Sequence, residues 1–100
     1  MTLMYGIEYT AEAVEDLESL RKFEQKQVLD EIDAQLTYEP NVETRNRKRL
    51  RPNDIAEWEL RVGRFRVFYD VREEVSIVKV EAIGYKAGGK LFVHGEEYEL

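Results

Sequence analysis

The sequence predicts an α+β fold: an N-terminal strand, a two-helix hairpin, then a three- to four-stranded antiparallel sheet, in the order β-α-α-β-β-β-β. Three observations carry this reading. Residues 10–38 hold apolar side chains at the three- and four-residue spacing of helices that bury one face. From Trp58 onward the apolar period drops to two, the period of strands. No low-complexity tract, repeat or linker interrupts the chain, so its 100 residues read as a single domain, 1–100.

The elements follow in order. "MYGIEY", residues 4–9, alternates apolar and polar side chains and reads as the first strand. Thr10 is placed to cap a helix, with Glu12, Glu15 and Asp16 in the following turns, where the helix dipole favours acids. Ala13, Val14, Leu17 and Leu20 then form one apolar stripe. Arg21, Lys22 and Phe23 read as a short connection to a second helix, from about Glu24 to Tyr38, whose apolar face is Val28, Leu29, Ile32 and Leu36. Pro40 stops it, because the residue before a proline avoids helical geometry.

Residues 41–53 have no sustained apolar period and are strongly basic in "RNRKRLR". Strands return with Trp58, Leu60 and Val62, then with Phe65, Val67, Tyr69 and Val71. The apolar parity shifts across Gly63, which marks a turn between paired strands or a bulge. "VSIVKVEAIGY" forms the next strand after the turn "REE". The tail "GGKLFVHGEEYEL" supplies a short further strand, with a bend at His94-Gly95.

Composition excludes several kinds of chemistry. With no cysteine there is no disulfide and no thiolate nucleophile or metal ligand, and a cytoplasmic location is the plain expectation. One histidine, and no calcium-loop spacing of acids, leave no metal site; no phosphate-binding glycine loop stands in the chain, so no cofactor is expected. There is neither a signal sequence nor an apolar run long enough to cross a membrane, so no membrane partner is expected. The net charge is −6, yet its distribution is uneven: Arg45 to Arg72 holds nine Lys/Arg against four Asp/Glu, and the rest is acidic. A basic middle between acidic ends points to an anionic partner.

The basic residues fall in two groups, Arg45, Arg47, Lys48, Arg49 and Arg51, then Arg61, Arg64 and Arg66. Arginine holds phosphate with two parallel hydrogen bonds, which lysine does not. On strand parity, Phe65, Val67 and Tyr69 face the helices, while Arg64, Arg66 and Phe68 share the open face. Phe68, Tyr85 and Phe92 are aromatic faces on which a base can stack.

"WELRVGRFRVFYDV" followed by "VSIVKVEAIGYK" closely resembles the signature of the RelE/ParE superfamily of toxins from type II toxin–antitoxin modules. Thr10, Ala13, Asp16, Leu17 and Leu20, the proline after the second helix and Arg49-Leu50 agree with it, so the likeness spans roughly residues 5 to 92. The resemblance implies a toxin with a cognate antitoxin. Its RelE-like branch consists of metal-independent, ribosome-dependent mRNA endonucleases that block translation, with the ribosome and mRNA as partners. In the alternative branch, ParE-like proteins poison DNA gyrase. A toxin-fold protein that only binds its antitoxin is the third possibility.

For the nuclease branch, the resemblance implies catalytic roles for Arg66 on the phosphate and for Lys86, which follows "IG" where relatives usually carry arginine. Glu59 and Tyr85 are the implied proton-transfer groups. Phe92 falls where the type nuclease has a tyrosine, and Glu57 and Glu59 fall where it has lysines. Arg45, Arg47, Lys48, Arg49, Arg51, Arg61, Arg64 and Phe92 are the expected contacts to RNA or ribosome.

Overall fold

The computed structural model describes residues 3–100. In chain order the elements are β1 (Gly6–Tyr9), α1 (Ala11–Glu18), α2 (Lys22–Leu36), β2 (Arg47–Arg49), β3 (Trp58–Val62) and β4 (Phe65–Arg72). A turn of 3-10 helix (Glu73–Val75) leads to β5 (Ile77–Ala87), β6 (Lys90–Val93) and β7 (Glu96–Tyr98). The α+β architecture expected from the sequence is the one observed, with more strands than expected.

Thr10 caps α1 as anticipated: its hydroxyl accepts the Ala13 N–H at 3.1 Å and donates to the Glu81 carbonyl at 2.9 Å. The helix is short, so its buried stripe narrows to Ala13 and Leu17, and Val14 stays 43% exposed. Lys22 and Phe23 belong to α2 rather than to a connection. The reason is Glu24, whose carboxylate accepts the Arg21 N–H at 3.1 Å and fixes Arg21 as the cap. Val28, Ile32 and Leu36 of α2 are fully buried, as the periodicity required.

The strands order as β2-β3-β4-β5-β6-β7, antiparallel throughout. β1 adds to the far edge of β5 in parallel, beside its first half, while β6 pairs with its last residues. Between them the edge of β5 is served by α1: an Asp16 carboxylate oxygen accepts the Ile83 N–H at 2.9 Å, and its other oxygen meets His94 at 3.0 Å. The basic segment also holds a strand, the three-residue β2, too short to show a period.

Two cores lie on opposite faces of this sheet. On one, both helices pack against Trp58, Leu60, Val67, Tyr69, Val80 and their neighbours. Burying each such side chain contributes about 1.5–3 kcal/mol. On the other, Phe68, Ala82, Leu91 and Val93 join Ala56 beneath the segment that precedes β3. β5 faces both cores, and a one-residue slip of its register turns Ala82 to the second core and Ile83 to the first: Phe68 pairs with Ala82, but Tyr69 pairs with Val80. Glu81 is the extra residue of this bulge. Its burial, then hydrogen bonding and repulsion from Asp70, push its carboxyl up to about 7 against the pull of Lys79 and Arg72.

Candidate functional site

β3 and β4 meet through a two-residue turn, Gly63-Arg64, with Val62 and Phe65 as the closing pair. A positive φ at Gly63 alone is the pattern of a type II′ hairpin turn, which suits strand twist. This turn sets the register that puts Arg61 directly opposite Arg66. Like charges facing each other across a ladder destabilise it. On the other side Arg66 pairs with Gly84, where a Cβ would come within 2.4 Å of the Phe92 carbonyl. Only glycine permits the close approach of β6 there.

The arginine pair belongs to a cleft of about 500 Å³. Lys48, Glu59, Arg61, Arg66, Lys86 and Lys90 line it, together with Leu50, Leu91 and the segment Glu97–Leu100. Arg66 is only 8% exposed, in contrast to the solvent-facing position that parity alone suggested. Its Nη1 donates to the carbonyls of Gly63 at 2.8 Å and Phe65 at 2.9 Å. These bonds hold the guanidinium in one orientation. Among the described residues, nothing accepts from its Nε or Nη2. Burial and the nearby Arg61 lower its affinity for a proton, and Glu59 offsets part of that. An anion in the cleft relieves both effects.

Of the residues expected to share a site, Glu59, Arg61, Arg66, Lys86 and Lys48 come together here. Others do not. Arg64 sits in the turn and reaches the helix side, pairing with Glu24 at 3.1 Å and lying over the rings of Phe65 and Tyr85. Tyr85 and Phe92 stack on each other 5.4 Å apart, with Tyr85 packed against the helical core, because β5 turns Gly84 and Lys86 to the cleft. Arg47 is buried and donates to the carbonyls of Gln35 and Val42, closing the end of α2.

Arg49 lies over Trp58 at 5.8 Å and near Glu57, on the face opposite Lys48. Arg45 is exposed in the turn before β2, and Arg51 flanks a smaller recess with Pro52, Asn53 and Leu100. Lys90 and Tyr98 also line the cleft, though neither was among the residues expected there. Tyr98 pairs with Leu91 across β6–β7 and so shares its face. Period-two parity on both sides of the His94-Gly95 turn is the signal that finds it. Tyr98 carries the one hydroxyl among the described residues lining the cleft.

Comparison with known proteins bears on what this arrangement does. The family described as the ParE toxin of the type II toxin–antitoxin system, parDE, matches residues 7–87. A chain in the crystal structure of the toxin–antitoxin complex RelBE2 from Mycobacterium tuberculosis superposes with a TM-score of 0.75. It is 24% identical, over 87% of this chain and 97% of that chain. No curated protein matches the sequence significantly. β6 and β7 lie beyond the residues of the family match.

Proposed function

The chain belongs to the family of ParE toxins of type II toxin–antitoxin systems, and so to the RelE/ParE superfamily, and we propose that it arrests growth by cutting mRNA on the ribosome at the cleft around Arg66. The observation that carries this reading is the opposed pair Arg61–Arg66, with Arg66 held rigid in a cleft that also contains Glu59 and Lys86. Preorganised cations where negative charge develops are the largest single contribution to phosphoryl chemistry.

In this reading the 2′-hydroxyl attacks the adjacent phosphorus and its proton passes to Glu59. The free edge of Arg66 holds the non-bridging oxygens through the pentavalent state, and Lys86 adds a point charge. The bond to the 5′-oxygen breaks, and that oxygen takes a proton from the Tyr98 hydroxyl. Tyr98 replaces Tyr85 in this role because Tyr85 faces the helices. Lys48, Arg61 and Lys90 hold flanking phosphates. A cognate antitoxin with an acidic extended segment covers the same cleft.

The test is cleavage of a defined mRNA on purified ribosomes. The protein should cut within the decoding site, and Glu59→Gln should slow cutting at least tenfold while leaving ribosome binding intact. Intact mRNA at saturating protein would overturn the reading. The match to ParE toxins favours a second one, a gyrase poison without chemistry of its own. Gyrase-linked DNA breaks on induction, with mRNA intact, would select it.

A further inference from the structure

The chain places part of its own acidic tail at the proposed site. After the His94-Gly95 turn, β7 runs back along β6, pairing Phe92 with Glu97 and Leu91 with Tyr98. Tyr98 packs on the second core, and Glu99 and Leu100 continue to the recess formed by Leu50, Arg51, Pro52 and Asn53. The tail therefore runs from the β6 side of the cleft to the segment that follows β2. Glu97 and Glu99 line the rim of the cavity that holds Arg61, Arg66 and Lys86; Glu97, paired with Phe92, reaches it over the edge of β7, where its carboxylate lies 3.7 Å from Lys90.

We propose that the Glu97 and Glu99 side chains are a built-in screen: their carboxylates compete with an incoming anionic backbone for the cations of the cavity and swing aside when it reaches Arg66, while Tyr98 between them keeps its place on β6. This rests on the reading of the cleft as a site for a polyphosphate backbone. The screen is lightly attached. β7 has three residues, pairs on one side only, and both its glutamates are exposed. Exposed carboxylates on such an edge change rotamer without the strand leaving β6. The same carboxylates account for a local balance in which five cations share the cavity with Glu59, Glu97 and Glu99.

The experiment compares the full chain with Glu97→Gln/Glu99→Gln, exposed isosteric changes that spare the core. Two labelled probes are titrated at low and high salt: a short mixed-sequence single-stranded RNA and linear polyphosphate. Removing two charges at a partly exposed rim should tighten polyphosphate binding about three- to tenfold at low salt. Salt should erase the gain. Polyphosphate affinity unchanged within twofold would overturn the screen, and RNA binding by both proteins would then leave the RNA reading standing. If the variant gains on polyphosphate while RNA binds neither protein, the screen holds and the RNA reading falls.

Discussion

Arg61 on β3 stands directly opposite Arg66 on β4, the two on one face of the sheet, with Arg66 buried to 8% exposure. A sheet under selection for stability alone avoids opposing two cations. The pair makes sense when an anion joins it, and that sets stability against binding. Arg61→Gln should therefore raise unfolding stability by about 0.5 kcal/mol, within the range of cross-strand pairs. The same change should weaken RNA binding severalfold and shallow its salt dependence. Urea denaturation and fluorescence anisotropy measure the two effects. A loss of stability together with unchanged binding would remove the reason given for the pair.

Gly84 is the packing counterpart of that pair. A methyl group there meets the Phe92 carbonyl at 2.4 Å and Val93 Cγ2 at 2.9 Å. Backbone rather than a flexible side chain blocks it, so β6 has to shift. Gly84→Ala should cost about 2–3 kcal/mol and should raise amide exchange in β6 and β7 more than in the helices. Wild-type stability in this variant would mean that β6 sits further from β5 than described.

Glu81 sits at the bulge of β5, and its carboxyl titrates near 7 because it is buried beside Asp70. Its folded value lies above its unfolded one, so the folded state binds the extra proton. Its contribution is fully present below the usual carboxylate range and is lost as the pH rises from about 4.5 to about 7. Glu81→Gln should be the more stable protein at pH 8, by about 1–3 kcal/mol. The advantage should shrink toward pH 4. Thermal melts across that range test it, and parallel curves for the two proteins would contradict the assignment.

The sequence made the frame legible because periodicity reports burial, and most of the chain is buried on one side. The Thr10 cap, the α2 stripe and the turn at Gly63 all follow from local rules. The basic run did not resolve so well. "RNRKRLR" reads as one patch, yet pairing with β3 splits it, sending Lys48 to the cleft, Arg49 to Trp58 and Arg47 inward to α2. Local sequence cannot tell a solvated arginine from one that caps a distant helix. Tyr85 misled for a different reason. The parity of β5 is set by the bulge at Glu81, and the change from Val78 and Val80 to Ile83 and Tyr85 is its trace in the sequence. The tail's course over the cleft depends on a six-strand order that no local pattern specifies.

Whether Arg66 in its cleft acts on RNA phosphate is tested most directly by ribosome-bound mRNA mapping after induction. Wild type, Arg66→Lys and Arg66→Ala are compared, each shown to be folded by circular dichroism. Losing the two bonds to Gly63 and Phe65 should cost Arg66→Ala about 2–4 kcal/mol, part of it offset by ending the opposition to Arg61. Wild type should give mRNA breaks within the decoding site, the lysine variant, which keeps charge but loses the fork, at least tenfold fewer, and alanine none. Breaks that persist in folded Arg66→Ala, or growth arrest with no breaks in wild type, would rule that role out for Arg66.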